Sequence, residues 1–425
     1  MRTGVVVDEL EELLRHSGQL AEGQSIPAVP KDRIDSEAEG AFIQAEKGTV
    51  HALSIRFCGL TALPESLDVL TSLQQLDVTG NQLHSLPESL GRLPQLKRLM
   101  ADDNELDALP KSLGELSELE LLFADGNRLT SLPAGLERLV HLERLDVRRN
   151  QLETVPESLG QLITLRDLRL GKNRLKSVPE ALWRLTELET LDLSENQISA
   201  LSSGIGELSK LRMLDLGHNA LTALPETIGK LTGLSDYLYV SDNQLTALPE
   251  SLGNLRALRY FNATDNQLRS LPESLGAMGA LMELRLYNNR LAELPASLGQ
   301  LAELKELHLK NNALVSLPES IGRLSRLRKL SLENNRLRTL PESLGRLSRL
   351  VELDLRNNRL GVLPESIGQL DSLVSLDLRG NRLRSLPACI GELPRLEKLD
   401  LRWNKLSSLP GWIQQLEQRG CTVFM

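Results

Sequence analysis

Aromatic residues are nearly missing from this chain of 425 residues: three tryptophans, four tyrosines and five phenylalanines, 3% of the total. Hydrophobic residues still make up 41%, so any core is built from leucine rather than from the mixed aromatic packing of an ordinary large domain. Cysteine is as scarce. Cys58, Cys389 and Cys421 are odd in number and far apart, which excludes a disulfide framework or a clustered-thiolate zinc grip and fits a reducing compartment. The six histidines, among them His218 and His308, show no i, i+4 spacing, so no metal site is expected. No stretch approaches the roughly 20 apolar residues that cross a bilayer. Residues 1–7 offer one arginine and a three-valine run before Asp8 and Glu9 intervene, too little for a secretory leader. These absences predict a soluble, cytoplasmic protein without a membrane partner. No Gly-x-x-x-x-Gly-Lys-Ser/Thr loop occurs, and the pair Asp102-Asp103 has neither His nor Cys beside it; no cofactor and no catalytic residue is expected.

Lysine and arginine number 49 against 57 acidic residues, a formal charge of −8. Such a field repels nucleic acid and anionic lipid at long range.

What the chain does have is repetition. From Asn81 to Asn404 an asparagine recurs every 23 residues, with one 24-residue step between Asn219 and Asn243. Cys58 occupies the same frame one step earlier, giving sixteen units. In Leu73-Gln-Gln-Leu76-Asp-Val78-Thr-Gly-Asn81-Gln-Leu83, Leu76 and Val78 alternate with polar residues, the period of a half-buried strand. The asparagine follows where the chain turns inward, and its amide can satisfy backbone groups buried between stacked turns. The other half of each unit, as in Leu86-Pro87-Glu88-Ser89-Leu90-Gly91-Arg92-Leu93, reads as a turn into a short helical or 3-10 segment with φ preset by proline. One such coil can bury its leucines only against its neighbours, so the array needs caps. Residues 6–20 predict an amphipathic helix, and residues 36–46 a second helix laying Phe42 and Ile43 over the first coil. Trp412, Ile413 and Leu416 predict a last outer helix and 421–424 a short final strand, with no further domain expected after it. The predicted organisation is an N-terminal helical cap over 1–48, sixteen repeats over 49–410 and a C-terminal cap over 411–425.

The Leu-x-x-Leu-x-Leu-x-x-Asn/Cys-x-Leu frame, joined to Leu-Pro-Glu-Ser-Leu-Gly-x-Leu on a 23-residue period, resembles the intracellular Ras-group leucine-rich-repeat proteins. It also resembles bacterial leucine-rich-repeat proteins, some of them effectors delivered into host cells. The resemblance covers about residues 50–410. It implies an α/β solenoid, a right-handed horseshoe with a parallel sheet on its concave face and short helical or 3-10 segments on the convex face. It also implies a non-enzymatic scaffold or adaptor, a monomer that binds a partner protein.

With each asparagine as position zero, positions −6, −4 and −2 are the exposed strand columns. All four tyrosines fall there within three successive units: Tyr237 and Tyr239, Tyr260, and Tyr287. Met213 precedes them, and Asn262, Arg285 and His308 border them. Tyrosine and arginine are the residues that dominate binding hot spots, so this group is the primary candidate for a protein-binding site. The single inserted residue lies in Leu234-Ser-Asp-Tyr237, where a bulge would re-aim a tyrosine. A second candidate is Met100, Leu121 and Phe123, ringed by Asp77, Asp102, Asp103, Glu105 and Asp125. Towards the C-terminus the same columns carry Arg356, Arg379 and Arg402 with Trp403 beside them. That stripe gives an acidic-to-basic polarity and supports the alternative function, a polyanion or nucleic-acid binder.

Overall fold

Each repeat after the first closes one coil: a three-residue strand, an inward turn at the asparagine and a helical turn on the opposite side, 3-10 in all but the last. A computed structural model describes residues 2–30, 34, 39–46 and 48–425. They divide into two compact units, 1–199 and 200–425.

In the first unit seven parallel strands run from Thr49–Arg56 to Thr190–Asp192. Their central leucines Leu53, Leu76, Leu99, Leu122, Leu145, Leu168 and Leu191 lie in register across the sheet and are at most 1% exposed. In the second unit ten strands run in parallel from Met213–Asp215 to Thr422–Phe424, again with an in-register apolar column. Phe261 replaces leucine in that column and is 1% exposed. The alternation of strand residues therefore sends one side chain inward and its two neighbours to the open face.

The asparagine ladder works as the sequence predicts. Asn127 Nδ2 donates to the carbonyls of Ala101 in the previous coil and Ala124 in its own, at 2.9 and 3.2 Å, while Oδ1 accepts the Leu106 N–H at 3.0 Å. The residue before each asparagine, and before Cys58, takes left-handed backbone, from Phe57 at φ 55° to Trp403 at φ 61°. In the second unit this column is itself bonded: Asn288 donates to Asp265, Asn311 to Asn288, Asn334 to Asn311 and Asn357 to Asn334, at 2.5–2.7 Å.

On the outer arc, Pro87 at φ −66° leads into the 3-10 turn Glu88–Arg92. The Glu88 carboxylate accepts the N–H groups of Lys111 and Ser112, at 3.0 and 2.9 Å, at the start of the next coil's turn. Those bonds, Ser112 first, hold its pKa below the ordinary glutamate value. Neighbouring turns approach so closely that a Cβ on Gly276 would stand 2.4 Å from the Ser297 carbonyl oxygen. Gly276 therefore has no room for a side chain, although Asp68, Glu137 and Trp183 hold the same place in other coils.

The N-terminal end differs from expectation. Helix α1 (Arg2–His16) is present and buries Val6, Leu10 and Leu14. Its buried Glu11 accepts the Ile26 N–H at 3.0 Å and pairs with Arg15 at 3.0 Å. The second helix predicted over 36–46 is instead a strand, β1 (Gly40–Glu46), antiparallel to β2 (Thr49–Arg56); residues 36–38 lie outside the described residues. The cause is the sheet edge. An eight-residue strand with one side unpaired needs backbone donors and acceptors, which an antiparallel strand supplies and a helix cannot. The far edge of β1 is covered in turn: Val29 N–H donates to Ile43 O at 2.8 Å and Ile43 N–H to Pro27 O at 3.0 Å. At the other end α2 (Trp412–Gln418) buries Ile413 and Leu416, and Thr422–Phe424 pairs with Lys398–Asp400, both as predicted. No helix among the described residues is long and apolar enough to cross a membrane.

Candidate functional site

The open face of the second unit is a grid whose rows are fixed by strand register. One row reads Met213, Tyr237, Tyr260, Glu283, Glu306, and the next Asp215, Tyr239, Asn262, Arg285, His308. Tyr287 follows two residues after Arg285 on the same coil. The structure thus brings the primary candidate group onto adjoining coils, all of it on strands except Tyr287, which follows its strand.

Inward Leu238, fully buried, leaves Tyr237 and Tyr239 on the open side, half-buried, with ring centroids 4.5 Å apart and planes 20° from parallel. Tyr260 is the most open of the four tyrosines at 39% exposure. Burial pushes the Tyr239 phenol above its ordinary value, so it stays a neutral donor. Asn262 is committed to its own turn through the Thr264 N–H at 3.1 Å. Arg285 is exposed and bonds Glu283 through Nε. His308 Nε2 lies 3.0 Å from Glu306 Oε2 and 3.7 Å from Glu283 Oε1.

Only about 20 Å³ of cavity lies among Tyr239, Tyr260, Asn262 and Arg285, far below the roughly 300 Å³ of a small-molecule pocket. The face is shallow, with aromatic bodies and polar tips. Its shape suits another macromolecular surface.

The inserted residue does not bulge the strand. Tyr237 pairs with Met213 and Tyr239 with Asp215 without a register shift. The extra length is taken up beforehand, between Leu234 and Tyr237, where the Ser235 and Asp236 N–H groups share the Arg212 carbonyl at 3.4 and 3.1 Å, as Lys97 and Arg98 share that of Gln74 in a coil of ordinary length. Gly233 allows this, because a Cβ there would stand 2.4 Å from the Ser209 carbonyl oxygen.

The second candidate changes character. Met100 is 7% exposed, so it floors a depression instead of projecting from it. With Phe123, Asp102, Asp146 and Arg148 it borders an open cavity of about 580 Å³ that does not include Leu121. The expected acidic rim is largely neutralised by arginines: Arg56 on Asp77 at 2.5 Å, Arg149 on Asp125 and Asp103 at 2.8 and 3.0 Å, and Arg128 on Glu105 at 2.9 Å. Asp102 has no ion-pair partner among the described residues. Its carboxylate accepts the Asp125 N–H at 2.7 Å.

The arginine stripe is neutralised too. Arg356 meets Asp354 at 2.8 Å and Glu333 at 2.6 Å, Arg379 meets Asp377 at 2.7 Å, and Arg402 meets Asp400 at 2.6 Å. Each aspartate precedes its arginine by two residues on the strand and so shares its face; counting arginines alone overstated the basic character. Trp403 is 74% exposed, with the Arg402 guanidinium 5.8 Å from its ring centroid.

The grouping of Glu283, Glu306 and His308 does not stand out in the linear sequence. A search for helical i, i+4 spacing cannot find donors one repeat apart on adjacent strands. The signal was there in the frame itself, as two glutamates at −6 in successive coils with a histidine at −4.

Family models described as a leucine-rich repeat region match residues 157–237 and 296–373, and leucine rich repeat models match 209–268 and 348–406. The chain is similar to the solved structure of a leucine-rich-repeat protein of Leptospira interrogans, at 31% identity and a TM-score of 0.73, covering 88% of this chain and 95% of that one. It is similar to YopM of Yersinia enterocolitica at 26% identity and TM-score 0.59, covering 95% and 92%. A plant peptide hormone receptor, RGFR1, solved in complex with RGF2, aligns at 26% identity and TM-score 0.62 over 88% of this chain and 77% of the receptor chain. No curated protein matches.

Proposed function

Because this chain belongs to the leucine-rich-repeat proteins, a family of interaction scaffolds, we propose that it is a non-enzymatic adaptor that acts as a monomer and holds a partner protein on its concave strand face. The contact centres on Met213, Tyr237, Tyr239, Tyr260, Arg285 and Tyr287. The observation that carries this reading is the concentration of all four tyrosines of the chain on three successive coils of one shallow face. The stacking of those coils rests on inward residues such as Leu238, Phe261 and Leu284, so it does not call for tyrosine on the face. A rigid strand grid also presents these rings with little ordering left to pay for on binding. Delivery to a host cell, as in some bacterial leucine-rich-repeat proteins, would set the same face before a host protein.

The experiment is affinity capture with the full chain, followed by titration of the captured partner against variants. Tyr260→Ala with Tyr287→Ala should cost about 2 kcal/mol or more in affinity, the size expected of hot-spot truncation, with the melting midpoint little changed. Ser331→Ala with Ser375→Ala, on the same columns outside the patch, is the matched control and should cost nothing. Equal loss from both pairs would replace a hot spot with a diffuse surface. No loss from either would move the contact to Met100 and Phe123 or off the strand face.

A further inference from the structure

The geometry points to a binding site for a divalent transition-metal ion of the zinc class on the strand face, with Glu283, Glu306 and His308 as its protein donors. The two glutamates face each other in register on the neighbouring strands Glu283–Arg285 and Glu306–His308. One donor atom from each of the three residues lies within 4.8 Å of the other two, with the imidazole Nε2 at 3.0 and 3.7 Å from the carboxylates. Tetrahedral zinc with bonds near 2.0–2.2 Å places its donors roughly 3.3 Å apart, so closing the site needs side-chain movements of about 1 Å.

Three further features favour a cation there. Like charges directly opposite on adjacent strands repel, and Glu283 with Glu306 is the acidic pair that the register sets side by side in this column. The next cation in the column, Lys329, turns away from Glu306 and pairs with Glu352 at 3.2 Å. The donors are also sheltered: the side chains of Glu283 and His308 are each 16% exposed, while Glu306 at 43% leaves an open side for water or an outside ligand. Imidazole with carboxylate and no thiolate suits zinc, copper or nickel. Three protein donors plus an open position is the arrangement of a reactive or bridging site rather than a closed structural one.

Arg285 makes the assignment sharper. Its guanidinium bonds Glu283 Oε1, the oxygen that faces His308. It therefore competes with the ion both for the donor and by charge, and removing it should tighten binding.

The test is calorimetric titration of chelator-treated full-length protein with Zn²⁺. One equivalent should bind with micromolar affinity. His308→Ala and Glu306→Gln should each weaken it at least tenfold, and Arg285→Gln should strengthen it. On the unmodified chain, Zn²⁺ should protect His308 from diethylpyrocarbonate, read by peptide mass, while His218 stays reactive; this arm holds even if a variant fails to fold. Absence of saturable one-to-one binding, affinity indifferent to His308→Ala, or equal modification of both histidines would each overturn the site.

Discussion

Burial pushes the Asp102 carboxyl up to about 7, with Asp146, Asp125 and Asp103 adding repulsion against one favourable backbone bond. The unfolded carboxyl titrates near 3.9. Between those values the folded chain keeps a proton that the unfolded chain has released. Asp102 therefore costs nothing in acid, and its penalty grows as pH rises from about 4 to about 7 and is complete above that. Asp102→Asn retains an acceptor for the Asp125 N–H and removes the charge. It should stabilise the protein by about 1–3 kcal/mol at pH 8, three pKa units discounted for partial solvent contact, and change little at pH 4. Urea unfolding at both values checks this; an equal effect at the two would mean that the folded carboxyl titrates normally. Sequence order shows Asp102 only as one acid among several. Arginines line the same cavity but pair with other carboxylates, as Arg148 does with Asp146, and those pairings are set by residues one and two repeats away, so the difference from Asp125 could not be read from the chain.

The coil as a unit was far more legible. Leucines at fixed positions in a 23-residue frame dictate strand, turn and outer arc, and Asn312 shows why the frame holds. Its Nδ2 donates to Leu286 O at 2.9 Å and Leu309 O at 3.1 Å, and its Oδ1 accepts the Leu291 N–H at 3.0 Å. Asn312→Leu leaves those buried groups unpaired and should destabilise the fold by about 1–3 kcal/mol, measured as a lower denaturation midpoint. An unchanged midpoint would mean that water replaces the amide. The strand Gly40–Glu46 was not legible, because Phe42 and Ile43 in so short a run fit a helix or a strand equally well. The unpaired edge of β2 makes the choice. Nor was the left-handed column before each asparagine. Gly80, Asn288 and Asn334 are the residues that tolerate it, but Arg149, Lys172 and Trp403 occupy the same backbone, so composition there hides the geometry.

For the molecule as a whole, charge weighs against the polyanion-binding alternative. The formal charge is −8, and the arginines that would have offered a local exception are each bonded to an aspartate two residues earlier. A polyanion would have to displace those intramolecular carboxylates before releasing its own counterions. The full chain should therefore show no measurable binding to a DNA duplex at ~150 mM salt. Binding whose salt slope falls when Arg356, Arg379 and Arg402 are changed to alanine would reverse that conclusion. The tyrosine patch, by contrast, was visible in the sequence by address alone, since Tyr237, Tyr260 and Tyr287 keep their columns once the frame is known. Its shallowness and the glutamate-histidine grouping beside it required side-chain directions.

The residue gained before Tyr237 has a consequence for how such a chain can change. The additional length is absorbed between Leu234 and Tyr237, and Tyr237 still stands opposite Met213 and Tyr260. A slip in one coil is corrected before it reaches the face, as a spelling error confined to one word leaves the next legible. Insertions of this kind, and duplications of whole coils, can then accumulate in a lineage without scrambling what the face displays. Contact chemistry can be rewritten one column position at a time while the leucines and asparagines stay untouched.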